Sequence, residues 1–214
     1  GRLGQGHCLR LWTRHQHHGL VPFHPPEIRA ADLAPLSLEL ALWGVSGPGE
    51  LRWLDPPPEA SYAAARELLI SLGALDQAGR ITAEGRQLAA LPLHPRLAHM
   101  LIKAHELGQG ALACDVAALV SERDVMGQNS MTISADLHQR LALLGLLRLR
   151  GPAGVRDRGG DVQSCRRVKQ LAGQWRQMLG CENKGYDDEM AGAVLSFAYP
   201  DRIAARRPGQ RECY

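Results

Sequence analysis

A chain of 214 residues with 45% apolar content, a formal net charge of +3 and five cysteines has the composition of a soluble globular protein able to bury about 70% of its unfolded surface. Its longest apolar runs, such as Leu141 to Leu147, fall well short of the roughly 20 residues that span a bilayer, so neither a membrane segment nor a signal peptide is expected. Aromatic residues make up only 5%, which leaves Leu, Ala and Val to build the core and favours helices over strands. The odd number of widely spaced cysteines, without a C-x-x-C pair, points to a reduced, cytoplasmic protein. Of the 25 basic residues only Lys103, Lys169 and Lys184 are lysines. Such an excess of arginine suits bidentate phosphate recognition, although a GC-rich genome produces the same bias.

In chain order, Gly4 and Gly6 make a turn, and His7 to Trp12 is compatible with a short strand. Arg14 to His24 carries His15, His17, His18 and His24 around Gly19. Neutral imidazoles bind zinc, but no Cys or carboxylate stands at ligand spacing, so no metal is expected and the stretch reads as a polar loop. Pro22, Pro25 and Pro26 make an extended linker. Leu33, Leu36, Leu40 and Trp43 lie on one helical face, with Asp32 able to cap, Pro35 in the tolerant first turn and Gly44 as the end. A loop follows to Pro58, with Leu51 to Leu54 as a candidate short strand.

Glu59 to Leu72 reads as a helix with Leu68, Leu69 and Leu72 on its apolar face and Gly73 as a left-handed terminus. Asp76 to Gly79 is a turn between two short extended pieces, and Gly79 is free to take positive φ. Thr82 is an N-cap for a helix from Ala83 to Leu91, Glu84 sits in its first turn, and Pro92 and Pro95 end it. Helix, small β wing, helix is the outline of a winged-helix module.

Beyond Pro95, Leu97, Leu101, Ala104 and Leu107 define another helical face ending at Gly108. Ala111 to Ser121 is apolar nearly all round and therefore buried. Met126 to Ile133 is a loop. Asp136 to Leu149 is helical, with Leu137, Leu141, Leu144 and Leu147 inward. The Gly- and Arg-rich stretch from Gly151 to Gly160 reads as mobile. Val162, Cys165, Val168, Ala172 and Trp175 mark one face of a helix ending near Gly180, and Asp187, Asp188 and Glu189 suit a last helix N-terminus.

From Arg140 to Gly180, nine basic residues stand against Asp157 and Asp161, a local net charge of +7. Such a patch attracts a polyanion with salt-sensitive affinity and no base preference, unless it is only a solvated helix face. Arg96, Lys103, Arg123, Arg166, Arg167 and Lys169 are the candidate phosphate contacts. Trp175 is the only aromatic in the patch that could stack on a base, and its place on the apolar face suits the core better.

Four stretches carry a family resemblance: Gly1-Arg2 with Gly6, Cys8 and Arg10-Leu11-Trp12; Pro26-Glu27-Ile28 with Ala31-Asp32-Leu33; the run L-G-A-L…G-x-I-T-x-x-G-R-x-L-A-x-L-P-L-x-P-R-L-A from Leu72 to Ala98; and Ala198-Tyr199-Pro200-Asp201-Arg202-Ile203-Ala204. Together they resemble DEAH/RHA-type superfamily 2 helicases, specifically their bacterial HrpB branch. The resemblance implies a mainly α fold, a winged-helix module followed by a helical bundle, with a short β stub from a RecA-like domain at the N-terminus. It divides the chain into residues 1–25, the tail of the second RecA-like domain; 26–95, the winged helix; 96–185, the bundle; and 186–214, the start of a C-terminal domain.

It further implies that Arg2 closes helicase motif VI and acts as an arginine finger in a longer parent protein. The bundle would meet the backbone of single-stranded RNA or DNA, and the remaining helicase domains of the same chain would be partners. ATP and Mg would serve the parent, with no cofactor expected for this piece. Neither G-x-x-x-x-G-K-[ST] nor D-E-A-H occurs in the sequence, so the piece alone should not hydrolyse ATP; it reads as an internal fragment clipped at both ends. Two other readings stay open: a stand-alone winged-helix regulator, for which Ala83 to Leu91 offers only Arg86 as recognition charge, and an interaction scaffold that exposes Ala111 to Val120.

Overall fold

The computed structural model describes residues 3–7, 9–21, 23–127, 135–181 and 186–204. Among them there are ten α-helices and no extended strand; the only β pairing is two isolated antiparallel bridges, Leu75 with Ile81 and Met126 with Gly160. The N-terminal stretch forms no strand. Leu9 and Leu11 are 86% and 95% exposed, because a single strand has no sheet here to satisfy its backbone. The histidine-rich segment is a short helix, α1 (Arg14–His18), rather than a loop. Thr13 starts it with a capping box, its hydroxyl accepting from Gln16 N while the Gln16 side chain accepts from Thr13 N.

The first module consists of α2 (Ala34–Trp43), α3 (Glu59–Ser71) and α4 (Ala83–Ala89). Asp32 caps α2 by accepting from Ala34 N at 2.8 Å, and Gly44, at φ +83°, ends it. Leu38 and Ala41 join Leu69, Ala74, Leu75 and Leu88 in one cluster, whereas Leu33, Ala34 and Leu40 join Tyr62 and Ala65 in another. Trp43, expected on the buried face, is 78% exposed. Because α2 is apolar nearly all round and is covered on two sides, period alone could not select its inward face. Leu51 to Leu54 forms no strand, and Leu54 is fully exposed.

The wing is set by three residues. Gly73 ends α3 at φ +71° and Gly79 turns the chain at φ +80°, with the Arg66 guanidinium lying where a Cβ at Gly79 would stand. Thr82 then fastens wing to helix, since its Oγ1 donates to Gly73 O at 2.7 Å and accepts from Gly85 N at 2.9 Å. The expected pair of extended pieces shrinks to the single Leu75–Ile81 bridge. The α4 helix stops at Ala89, short of Leu91, because the chain must turn before Pro95, which opens α5 (Pro95–Glu106).

The second module surrounds α6 (Gly110–Ser121), whose residues Leu112 to Leu119 are all buried. Against it lie α5, α9 (Val162–Leu179) and α10 (Ala191–Ala198), with α7 (Leu137–Leu149) completing the core. The Ala111–Val120 run is thus the centre of the bundle and not a docking face. Asp136 caps α7 and Asp161 caps α9, which ends in the left-handed Gly180. The segment expected to be mobile is helical: α8 (Gly151–Asp157) has Pro152 in its first turn and drives Val155, fully buried, into the core. One apolar anchor and a proline with preset φ outweigh the surrounding glycines and arginines. Residues 128–134 of the expected loop lie outside the described residues.

Candidate nucleic-acid interface

The basic residues divide into those that hold the bundle together and those that face outward. Asp115, the one carboxylate in α6, is fully buried. Arg176 Nη2 donates to one of its oxygens and, at 3.1 Å, to Ala111 O. Arg148 Nη2 and the Tyr186 hydroxyl donate to the other. Burial, then the Asp115 charge, pushes the Tyr186 hydroxyl well above its ordinary value; burial works against charge on Arg148, but Asp115 holds its guanidinium protonated. This knot joins α6, α7, α9 and the segment leading to α10. Arg140 is likewise turned inward, bidentate to Asp124 at 3.0 and 2.6 Å. Three of the nine positive charges counted between Arg140 and Gly180 are therefore turned onto structural partners that precede that stretch, and a fourth, Arg167, has Glu122 nearby.

Arg96 and Lys103 are also engaged within the chain. Arg96 grips Asp201 bidentately at 2.5 and 2.9 Å, donates to Ala198 O at 3.1 Å and lies 5.2 Å from the centre of the Tyr199 ring, as does Arg202. Two of the stretches singled out in the sequence, one starting α5 and one ending α10, thus meet in a single latch. Lys103 Nζ lies 2.5 Å from Glu84 on α4 and 3.5 Å from Glu106.

The Arg96 hydrogen bonds hold the Asp201 carboxyl below its usual range. A group depressed on folding adds stability above its unfolded pKa, near 4, that is lost as the pH falls through the folded value. Asp201→Asn is therefore expected to lower the melting temperature at neutral pH and to flatten its decline below about pH 4. Parallel thermal melts of variant and wild type across that range check this; identical slopes would show that the latch is not coupled to folding.

Arg123, Arg166, Arg167 and Lys169 are exposed. The last three stand on the first turns of α9, opposite the buried Cys165, Val168, Ala172 and Trp175 that seat the helix. Arg167 Nη2 donates to Ser164 Oγ at 3.0 Å, and its Nε lies 3.7 Å from Glu122, the neighbour of Arg123. The end of α6 and the start of α9 are thereby held side by side. Arg156 and Arg158, at the end of α8, are exposed just before α9 begins. Such a ridge can engage phosphates through flexible cations, with no group arranged to read a base edge. Trp175 is 3% exposed and belongs to the core. Arg2 lies outside the described residues.

The sequence reading passed over Asp115 and Tyr186. Their signal was a lone carboxylate in an otherwise apolar helix, which requires cationic or hydrogen-bonding partners when buried. Arg10 and Trp12, before α1, engage the ring of its His17 at 2.8 and 3.4 Å. No group of three or more His, Cys, Asp or Glu side chains able to hold a metal occurs among the described residues, and no helix among them is long and apolar enough to cross a membrane. The recognition-helix reading is not favoured either, since α4 has seven residues and a single arginine.

Comparison with known proteins agrees with the helical fold and its winged-helix segment. Residues 65–93, the wing and its flanking helices, match the helicase associated domain (HA2), winged-helix family. The chain is 32% identical over 207 residues to the ATP-dependent RNA helicase HrpB of Escherichia coli K12, covering 97% of this chain and 22% of that protein. It is 34% identical over 122 residues to the pre-mRNA-splicing factor ATP-dependent RNA helicase prp22 of Schizosaccharomyces pombe, covering 56% of this chain and 10% of the other. Crystal structures of E. coli HrpB, described as a DExH-box NTPase and as a DEAH/RHA helicase, superpose with TM-scores of 0.65 and 0.66 at 32% and 30% identity. They cover 97% and 92% of this chain and 22% of each HrpB chain. The chain thus spans about a fifth of the length of HrpB.

Proposed function

Since this chain belongs to the HrpB-like DEAH/RHA helicases, as their C-terminal accessory region, we propose that it forms one wall of the single-stranded nucleic-acid channel in a longer ATP-dependent RNA helicase. The observation that carries this reading is the outward ridge of Arg123, Arg166, Arg167 and Lys169, on a helix whose other face is fixed in the core. In this role the ridge tracks the backbone while the ATP-driven domains open and close, and it resists back-slip without selecting sequence. Arg96 and Lys103 act as structural residues, holding α5 to α10 and to α4.

ATP and Mg would act in the remaining helicase domains of the longer protein, with Arg2 reaching the γ-phosphate from the end of motif VI. The residues of this chain do not fit a nucleotide site, because no phosphate loop or D-E-A-H is present, and no hydrolytic step is assigned to them. Docking on those domains is supported by the exposed Leu9, Leu11, Phe23 and Trp43. The odd number of widely spaced cysteines, without a C-x-x-C pair, supports a reducing, cytoplasmic setting.

The test is binding of a single-stranded RNA oligonucleotide over a salt series, comparing wild type with Arg166→Glu/Arg167→Glu/Lys169→Glu. Three lost phosphate contacts make the slope of log affinity against log salt shallower by about 2. An unchanged slope would remove α9 from the channel and move the nucleic-acid contacts to other domains.

A further inference from the structure

A sulfur pair lies where the end of α9 returns to α6. After the left-handed Gly180, the Cys181 N–H donates to Arg176 O at 2.9 Å, turning the Cys181 side chain onto the start of α6. There its Sγ lies 3.2 Å from Nδ1 of His105, at the end of α5. The fit is tight enough that a Cβ on Gly110 would stand 2.5 Å from that sulfur and 2.9 Å from the imidazole nitrogen. Cys114 follows Gly110 by one helical turn on the same face of α6, which sets its thiol on the side of the helix that Cys181 covers. Cys114 is buried and Cys181 partly exposed, so an oxidant in solvent meets Cys181 first with Cys114 directly behind it.

We propose that Cys114 and Cys181 are a redox-sensitive thiol pair, converted by hydrogen peroxide into an intramolecular disulfide that fastens α6 to the end of α9. His105 takes the Cys181 proton, and the thiolate attacks one peroxide oxygen. The O–O bond breaks, and the hydroxide released recovers the proton as water. The Cys181 sulfenic acid then loses its hydroxyl to the incoming Cys114 sulfur, which forms the S–S bond while its own proton leaves in a second water. Two thiols are oxidised by two electrons and one molecule of hydrogen peroxide is reduced. Burial pushes Cys114 up to about 12 and raises Cys181 as well. The pair is therefore slow to oxidise without the imidazole. Once formed, the bond closes a loop containing α7, α8 and α9, the helix that carries the basic ridge, and restricts the unfolded chain.

The experiment uses the whole chain with Cys8→Ser and Cys213→Ser, exposed to hydrogen peroxide, then denatured, alkylated and mapped by mass spectrometry. The expected product has lost two hydrogens, carries a peptide joining Cys114 to Cys181, keeps Cys165 alkylated, and melts at a higher temperature than the reduced form. Cys181→Ser abolishes the cross-link and leaves Cys114 alkylated, while His105→Ala slows cross-linking at neutral pH without changing its product. Both thiols still alkylated, a Cys181 sulfinic acid beside a free Cys114, or a bridge involving Cys165 would each overturn the pair. An undiminished rate in His105→Ala would overturn the proton transfer to His105.

Discussion

Replacing Asp115 with alanine is expected to lower folding stability by roughly 3–5 kcal/mol, the cost of leaving buried charges without their counter-ion. Urea unfolding would show the loss as a lower midpoint at similar slope. Asp115 is fully buried and is shared by Arg176, Arg148 and Tyr186. Without it, the Arg176 side chain, 9% exposed, keeps only Ala111 O among these partners, whereas Arg148, 29% exposed, can turn toward water. Most of the loss therefore arises at Arg176. Asp115→Ala combined with Arg176→Met removes both buried charges and is expected to recover a substantial part of it, since an apolar replacement of a buried pair is often neutral. A loss below about 1 kcal/mol, the scale of a surface pair, would mean that the knot is solvated in solution.

Gly85→Ala is expected to cost about 1–3 kcal/mol, toward the upper end for overpacking. The added Cβ would stand 2.1 Å from Ala74 O and 3.0 Å from Ala74 C. These are backbone atoms at the base of the wing, with no rotamer by which to move aside. Relief requires α4 to separate from the wing, which strains the Thr82 hydrogen bonds to Gly73 O and Gly85 N. Gly173→Ala provides the contrast: it lies within α9 with nothing near its Cβ direction, so better helix propensity should leave stability unchanged or raised by up to about 1 kcal/mol. Thermal or urea unfolding should show a loss in Gly85→Ala that is absent from Gly173→Ala, and equal effects would refute the close approach at Gly85.

Features fixed by local chemistry were legible before any coordinates. Gly73 and Gly180 end their helices in the left-handed region, and Thr82 caps α4. Features fixed by partners distant in sequence were not. The composition of Gly151 to Gly160 suggested mobility, but whether Val155 finds a core depends on α7 and the rest of the bundle. The +7 stretch overstated the outward charge for a related reason. Asp124 and Asp115, which neutralise Arg140, Arg148 and Arg176, precede the counted window. Arg96 looked like a phosphate contact because its partner, Asp201, is far along the chain. Exposed Arg166, Arg167 and Lys169 were easier to anticipate, since helical period alone set them opposite Cys165, Val168 and Ala172.

The α5 helix is shared by the two cores. Its Ala98 belongs to the core of the winged module, while Leu97, Met100 and Leu101 belong to that of the bundle, and Leu91 and Leu93 just before it touch both. The helix is a party wall. Opening a gap on either side strips cover from the same stretch of chain, so Pro95 is no hinge despite looking like a punctuation mark in the sequence. A push on the wing is borne by the bundle, and the arginines of α9 move with it as part of one body.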